Sequence, residues 1–379
     1  MESLRLTEPD LEFIDELQRT GGESVKKCYQ CATCSAVCKL SPDRNPFPRK
    51  EMIWAQWGQK ERLVSDHHVW ACYQCNDCST HCPRGARPGD VLAAIRAMAI
   101  RHYAVPGFLA SVVQKPSGLI VAIGIAVAFV LAMLGVDGHL GVLTNPPAGQ
   151  VHFGNHFLTH LTLNVMFTAA FTLAVIFSVV GLMRFIGDMK RNEPIPEDKD
   201  PGFISAVIGA FIELLLHKKF KSCKEASGRR ISHFGIFFGF VVLLVVTAIV
   251  VVLVVVAPDS YPIWSLTNPL KIAGNIGAAL LIGGSLIAIY DRLTDPDKAG
   301  QSSYFDWFFL LDMLIVGVTG VLTEVARFSG GYSWAYWMYF IHLCAVFMLL
   351  CYLPYSKFGH MLYRFFAMVH ERRVGGYPD

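Results

Sequence analysis

Two cysteine runs decide the fold of this chain: Cys28-Tyr-Gln-Cys31-Ala-Thr-Cys34-Ser-Ala-Val-Cys38 and Cys72-Tyr-Gln-Cys75-Asn-Asp-Cys78-Ser-Thr-His-Cys82-Pro83. They hold eight of the eleven cysteines in the chain. The N-terminal stretch has no basic segment followed by an apolar core and no twin arginine, so we expect no export signal. Because a cysteine-dense segment in the reducing cytosol binds metal more often than it forms disulfides, we predict a metal-binding domain.

The spacing within each run is the one that holds iron–sulfur clusters in bacterial ferredoxins. Three close thiolates hold one [4Fe–4S] cluster, and the fourth cysteine of the run ligates the other cluster. We therefore predict two [4Fe–4S] clusters with crossed ligation. The predicted sets are Cys28, Cys31, Cys34 and Cys82 for the first cluster, and Cys72, Cys75, Cys78 and Cys38 for the second. The alternative is a pair of zinc sites, but structural zinc usually takes two separated cysteine pairs.

The segment between the runs is long and favours helix, as in the stretch RKEMIWAQWGQKERL at 49–63. This separation resembles the α-helical ferredoxin type found in the iron–sulfur subunits of fumarate reductase and heterodisulfide reductase. The C subunit of heterodisulfide reductase is the closer resemblance. It rests on the twin CYQC runs, Trp70, the stretch CPRGARPGDVL that begins at Cys82, and Ile95-Arg96. One departure is Lys39, where a proline often follows the last cysteine of the first run.

The rest of the chain is suited to a membrane. The whole chain is 53% hydrophobic and 17% charged, against about 45–50% apolar and about 25% charged residues in soluble domains. Six apolar segments have spanning length, at 118–136, 157–187, 231–257, 270–290, 305–328 and 335–356. A shorter apolar stretch at 201–216 carries Glu213 and is predicted to be an amphipathic helix in the membrane interface.

Lysine and arginine are concentrated in alternate loops. Nine fall in the loop at 188–230, and none falls in the loops at 137–155 and 258–269. Since basic loops remain in the cytoplasm, both termini are predicted to lie on the cytoplasmic side of the inner membrane.

Histidines in the predicted spans indicate b haems, which need two imidazoles facing each other across a helix bundle. The stretch FIHLCAVFMLLCYLPYSKFGH at 340–360 resembles the haem helix of the nitrate reductase γ-subunit family, which has two histidines at this spacing. Eighteen residues of helix span about 27 Å, close to the ~30 Å thickness of the hydrocarbon. The resemblance therefore implies an outer haem ligand at His342 and a cytoplasmic one at His360.

The partners of these two histidines follow from depth. His233, in the stretch SHFGIFFGF, resembles the family's other haem helix and is predicted to pair with His360. The family's second histidine on that helix is replaced here by Leu243. His160 is therefore predicted to pair with His342, and His156, one turn earlier, is the alternative. Five further histidines are predicted to be interfacial: His102, His139, His152, His217 and His370.

Four ionisable residues in or near the spans are candidates for a quinone site, because charge inside a membrane usually serves function. These are Asp312, Lys271, Glu324 and Arg327. We favour an outer quinone site, near the last three of them. A cytoplasmic site near Asp312 or the basic segment 217–230 is the alternative. Asp312 could equally be an internally paired structural residue, and Glu324 with Arg327 an ordinary ion pair at the helix end.

The sequence thus predicts an all-α protein, with a cytoplasmic ferredoxin-like domain over 1–105 and a six-helix transmembrane haem-b module over 106–379. This combination resembles the membrane C subunits of the quinone-interacting membrane-bound oxidoreductase (QmoC) family of sulfate reducers. The resemblance implies menaquinone or menaquinol as the substrate and two flavin- and iron–sulfur-containing partners similar to QmoA and QmoB. It also implies transient contact with adenylylsulfate reductase, while the lipid bilayer surrounds the spans and no nucleic acid is involved.

Two alternatives remain open. One is the membrane subunit of a methanophenazine- or quinone-linked heterodisulfide reductase-type complex, which differs mainly in its soluble partner. The other is a non-redox transporter with a regulatory cluster domain, although no internal repeats or broken helices are evident. Because the chain has no Gly-rich dinucleotide fingerprint and no flavin motif, we expect no active site for a soluble substrate.

Overall fold

The computed structural model of the chain describes residues 8–42, 45–147, 151–197, 200–216, 227–256, 265–295, 300, 302–330 and 332–375. In these ranges every regular element is a helix, and no β-strand is present. The all-α prediction is therefore confirmed.

The N-terminal part, which we call the cysteine domain (residues 8–105), contains short helices. These are Leu11–Leu17, Thr33–Val37, Arg49–Gln56, Lys60–Val64, His67–Ala71, Asp77–Thr80 and Pro88–Tyr103. Asp10 caps the first helix, because its side chain accepts a hydrogen bond from the Phe13 amide at 2.8 Å. The longest begins with Pro88 at its first position, where a proline costs no hydrogen bond.

Within the ranges given above, six later helices are long and apolar enough to cross a membrane, which agrees with the predicted number. We call them spans one to six: Gly118–Val136, His160–Asn192, Arg229–Val256, Pro269–Thr294, Tyr304–Phe328 and Ser333–Cys351. Four other helices are Gly107–Val113, Phe153–His156, Phe203–Leu216 and Gly359–Val374, of which we call Gly359–Val374 the last helix. The stretch predicted to be amphipathic forms Phe203–Leu216, and its Glu213 is bound by Arg372 of the last helix at 2.8 Å.

Spans three and four pack backbone to backbone because glycines line their contact. A Cβ on Gly239 would lie 2.5 Å from the Leu281 nitrogen, and one on Gly284 would lie 2.6 Å from the Ile236 nitrogen. Small residues allow helices to approach closely in lipid, where helix association depends on van der Waals packing. Any larger side chain at either glycine would push these two spans apart.

The prediction of one continuous helix from His342 to His360 is wrong. Span six ends at Cys351, Leu353–Tyr355 forms a 3₁₀ turn, and the last helix begins only at Gly359. Pro354 explains the break, because it donates no backbone hydrogen bond and its ring disfavours α conformation in the residue before it. His342 and His360 therefore lie on different helices, and the ~27 Å separation along one axis does not apply.

The cysteine domain and the helix bundle share one hydrophobic core. Trp70 is fully buried, and its ring stacks on Tyr363 of the last helix at 5.3 Å. Phe185 of span two meets Trp70 edge-on at 5.9 Å and Tyr103 at 5.4 Å. These four aromatic rings come from three parts of the chain, so the domain cannot shift on the bundle without opening the core.

We predict that Phe185→Ala destabilises the protein by roughly 3–5 kcal/mol, as truncation of a buried phenylalanine usually does. Thermal unfolding in detergent, followed by tryptophan fluorescence, measures this as a lower Tm. Phe108→Ala is the matched control, because Phe108 is 68% exposed. Equal Tm values for the two variants would contradict the shared core.

Candidate electron-transfer site

Both cysteine runs adopt the same backbone turn. Gln30 and Ala32 in the first run have φ of 58° and 68°, and Gln74 and Asn76 in the second have φ of 52° and 66°. Left-handed backbone at two positions of one short loop is uncommon for residues other than glycine, and it bends each loop around its thiols. Amide groups reach the sulfurs as well, since the Gln74 amide donates to Cys72 Sγ at 3.2 Å.

The second run forms a cavity with the last cysteine of the first run. Four thiols line it, together with Gln74, Asn76 and hydrophobic side chains such as Leu92; the thiols are Cys38, Cys72, Cys75 and Cys78. Burial, together with a smaller effect of the nearby Cys72 and Cys75, raises the pKa of the Cys38 thiol to about 12. The structure thus gathers the four cysteines that the sequence assigned to the second cluster.

The other four cysteines lie nearer the protein surface. Burial raises the pKa of the Cys28 thiol, and the neighbouring Cys82 and Cys31 contribute to the increase. Cys82 therefore lies beside Cys28, as crossed ligation requires, although Cys72, Cys75 and Cys78 are closer to it in sequence. Cys31 is exposed, whereas Cys72 and Cys78 are buried. The first set faces outward and the second faces the interior.

Arginines of the bundle hold the second run in place. Arg364 of the last helix donates to the Cys72 carbonyl oxygen at 3.0 Å, and its guanidinium lies 3.9 Å from the centre of the Tyr73 ring. Arg229, at the start of span three, donates to the Gln74 carbonyl oxygen. The loop that carries three thiols of the second set is therefore bonded to the membrane module from two sides.

His360 lies directly behind this loop. Its ring is 5.6 Å from that of Trp70, two residues before Cys72. Burial lowers the pKa of His360 well below its usual value, and the charges of Arg96, Arg364, Lys357 and His233 lower it further. The charge of His233 thus acts on His360, which places the predicted pair within electrostatic range of each other.

His342 is oriented by span five. Thr319 Oγ1 lies 2.6 Å from the Ile315 carbonyl oxygen, to which it donates, and 3.1 Å from His342 Nδ1. When the threonine hydroxyl donates to the carbonyl, its oxygen accepts from the imidazole, so this contact favours a proton on His342 Nδ1. The Nε2 lone pair of His342 then remains for a metal, which is the usual result when the other ring nitrogen of a histidine donates a hydrogen bond.

The predicted pairing of His342 with His160 or His156 gains no support from the structure. His156 bonds through Nδ1 to the Tyr336 hydroxyl at 3.1 Å, and the His160 ring lies against Gly154. Tyr336 is on the face of span six that packs with spans one and two, whereas His342 faces Thr319 on span five. Residues at the same depth in a membrane can face different neighbours, because each helix has its own rotation about its axis. Here Tyr336 and His342 lie on different faces of span six.

Two of the quinone-site candidates form an ion pair across two spans. Lys271 Nζ lies 2.7 Å from Glu324 Oε2, and Asn275 donates to Glu324 Oε1 at 3.3 Å. Glu324 of span five therefore binds Lys271 and Asn275 of span four. The guanidinium of Arg327 lies 6.0 Å from the centre of the Phe328 ring. Asp312 is buried within span five. Of the basic segment 217–230, residues 217–226, including His217, lie outside the described residues.

Sequence reasoning missed the arginines that join the two modules. No local pattern in the sequence shows that Arg364 and Arg229 contact the second cysteine run. Trp70 was noted only as part of the family resemblance.

We predict that Arg364→Gln loosens the second run, because it removes a hydrogen bond from a charged donor that is worth about 1.5–3 kcal/mol. Hydrogen exchange of the amides at 72–76 should accelerate, while that of the first run should not change. Arg84→Gln is the matched control, since the Arg84 guanidinium lies 4.1 Å from the Tyr29 ring within the cysteine domain. Unchanged exchange at 72–76 in Arg364→Gln would contradict the bridging role.

Comparison with known proteins supports the cluster domain. Residues 24–86 match the family described as a 4Fe-4S dicluster domain. The chain is 30% identical to the C subunit of the H(2):CoB-CoM heterodisulfide,ferredoxin reductase of Methanothermobacter thermautotrophicus over 139 residues, which are 36% of this chain and 72% of that protein. It is 28% identical to an iron-sulfur C subunit of the CoB--CoM heterodisulfide reductase of Methanocaldococcus jannaschii over 158 residues, 40% of this chain and 82% of that protein. The predicted relationship to heterodisulfide reductase C subunits is therefore confirmed.

The membrane part matches a different family, described as citrate utilization protein B, over residues 114–375. No solved structure matches the chain at a significant level. The second match covers more than half of the chain, and the chain therefore belongs to the citrate utilization protein B family, with an N-terminal 4Fe-4S dicluster domain related to the C subunits of heterodisulfide reductases.

Proposed function

We propose that this protein is the membrane electron-transfer subunit of a quinone-linked respiratory oxidoreductase. It would pass electrons between the menaquinone pool and soluble flavin- and iron–sulfur-containing partner subunits. The observation that carries the proposal is the contact of Trp70 with His360, which joins the second cysteine run to a histidine of the membrane module. The six spans provide the membrane anchor.

Two [4Fe–4S] clusters would be held by the eight cysteines in crossed sets, with Cys28, Cys31, Cys34 and Cys82 on one and Cys72, Cys75, Cys78 and Cys38 on the other. The cavity lined by the second set supports this fit. A thiolate cavity of this kind excludes water and presents amide donors to sulfur, both of which tune cluster potentials.

Two b haems would be held by histidines. His233 and His360 would bind one haem, and His342 would bind the other through Nε2, together with His160 or, as the alternative, with His156. When bound, clusters and b haems each take up and release single electrons. Thr319 would keep His342 in the tautomer that leaves Nε2 unprotonated.

Quinol oxidation is placed near the outer ends of spans four and five in this proposal, where Lys271 and Glu324 are paired. Menaquinol must lose two protons and two electrons to become menaquinone. Glu324 would accept a proton at its carboxylate, and Lys271 would keep that carboxylate ionised until then. Asp312, buried in span five, is the alternative proton acceptor, and Arg327 would add positive charge near the outer site. With both termini in the cytoplasm, protons released there would leave on the outer side.

The identity of the soluble partners distinguishes two forms of this proposal. Partners similar to QmoA and QmoB, with transient delivery of electrons to adenylylsulfate reductase, would make the protein part of dissimilatory sulfate reduction. The relatives named as C subunits of heterodisulfide reductases favour the alternative, a methanophenazine- or quinone-linked heterodisulfide reductase-type complex. Purification of the tagged protein in mild detergent, with identification of the attached subunits, tests the function. Recovery without any flavin- or iron–sulfur-containing partner would contradict it.

We predict that Cys82→Ser damages the cluster that is held by Cys28, Cys31 and Cys34. The physical reason is that crossed ligation gives that cluster its fourth thiolate from Cys82. EPR of the reduced protein should lose one cluster signal, and the same signal should disappear in Cys31→Ser. Loss of the signal that Cys75→Ser removes would contradict crossed ligation.

We predict that His233→Ala and His360→Ala each remove the same b haem, because they are the two ligands of one iron, whereas His342→Ala removes the other. Redox-resolved absorption spectra measure each haem separately. His102→Ala is the control, since His102 lies in the cysteine domain and should leave both haems. Loss of different haems in His233→Ala and His360→Ala would show that these histidines are not a pair.

A further inference from the structure

A group of ionisable residues, separate from the iron–sulfur ligands, forms a buried cluster where the cysteine domain meets the last helix. It lies outside the cysteine runs and outside the spans. Six of its members are at most 3% exposed: Glu51, Asp66, His67, His68, His370 and Glu371. His370 was predicted to be interfacial, and its burial here corrects that prediction. Sequence distance hid the cluster, since His67 and Glu371 are about three hundred residues apart.

Two imidazoles in this cluster converge on one carboxylate. His67 Nε2 lies 2.5 Å from Glu371 Oε2, and His68 Nε2 lies 3.8 Å from the same oxygen. Ligand atoms around a tetrahedral zinc ion are roughly 3.3 Å apart, because each is ~2.0–2.1 Å from the metal. The His370 ring is 5.1 Å from that of His67, so a third imidazole lies beside this group.

The polar atoms at this point lack ordinary partners. Among the described residues, both Glu371 oxygens, His67 Nε2 and His370 Nε2 are buried without a hydrogen bond. His67 Nε2 is in ion-pair contact with Glu371 Oε2, which leaves Glu371 Oε1 and His370 Nε2 without a partner among the described residues. Buried polar groups are almost always hydrogen-bonded, so a ligand for these two atoms is expected.

Asp66 orients one of the imidazoles. Asp66 Oδ1 lies 3.2 Å from His68 Nδ1, on the opposite side of the ring from Glu371, and Lys50 Nζ lies 3.3 Å from the same nitrogen. When the carboxylate accepts a hydrogen bond from this nitrogen, the other ring nitrogen is free to bind a metal. The same arrangement is found behind many histidine ligands of zinc.

The charge of the cluster also favours a cation. Three carboxylates are buried here, those of Glu51, Asp66 and Glu371. A fourth carboxylate oxygen, Glu193 Oε2, lies 3.7 Å from His67 Nδ1. The nearby ammonium group is that of Lys50, 3.5 Å from Glu51 and 3.9 Å from Asp66. Buried carboxylates that outnumber their cationic partners are costly unless a proton or a metal ion compensates them.

We propose that His67, His68 and Glu371 bind a divalent transition-metal ion of the zinc class, with His370 as the fourth ligand and Asp66 as the residue that orients His68. Imidazole and carboxylate are ligands that suit zinc. The ion joins the helix His67–Ala71 to the last helix. Because the last helix also carries His360 and Arg364, the ion fixes the second cysteine run against the membrane module.

Zinc binding to the purified protein, with its clusters and haems in place, tests this site. After exposure to Zn²⁺ alone and removal of loose metal by gel filtration, we expect one zinc ion per chain. X-ray absorption at the zinc edge should give nitrogen and oxygen ligands at ~2.0–2.1 Å. Zinc that binds at well below one per chain, or zinc with sulfur ligands at ~2.3 Å from displaced clusters, would overturn the proposal.

Variants provide the second arm of the test. Glu371→Gln and His68→Gln should each lower zinc affinity by roughly tenfold or more, since each removes a ligand. Glu213→Gln is the matched control, a buried carboxylate that faces the last helix but binds Arg372. If the ligand variants do not assemble, the zinc-edge measurement on the unaltered protein still decides. Unaltered affinity in both ligand variants would overturn the site even if zinc binds elsewhere.

Discussion

The contact between the second cysteine run and the last helix is the constraint on which this structure depends. Arg364 donates to the Cys72 carbonyl oxygen, and Trp70 packs against His360 and Tyr363 of the last helix. Electron transfer between protein modules requires short and stable separations, and a flexible domain tethered to the membrane would not maintain them. Here the cysteine domain is part of the same hydrophobic core as span two and the last helix. The separation between the two modules is therefore set by packing.

This constraint explains features of the membrane module that would otherwise look unrelated. The break at Pro354 allows the last helix to leave the direction of span six and to run against the cysteine domain. Glu213 and Asp200 then bind Arg372 and Arg373 near the end of that helix, at 2.8 Å and 2.5 Å. Partly buried ion pairs of this kind add little net stability but fix relative position. The last helix is the element that connects the six spans to the cysteine domain.

Local patterns in the sequence predicted much of this architecture. The cysteine spacing and the apolar segments are each visible within a short stretch of sequence. They predicted the relationship to heterodisulfide reductase C subunits and the six spans, and both were confirmed. The pairing of His342 gained no support because helix rotation depends on neighbouring helices, and no single segment records it. The continuous helix through Pro354 was wrong, because a proline within an apolar segment ends the helix there whatever the hydrophobicity of the residues on either side. The buried cluster at His67 and Glu371 joins distant segments, which one sequence does not reveal.

The central claim is that the second cysteine set, and not the first, adjoins the membrane module. Flash photoreduction of the cysteine domain by a deazaflavin radical, with the absorbance of the proposed b haems followed in time, tests it most directly. We predict that haem reduction persists in Cys31→Ser, where only the outward set is damaged, and is abolished in Cys75→Ser. Haem reduction that survives in Cys75→Ser but is lost in Cys31→Ser would contradict the account.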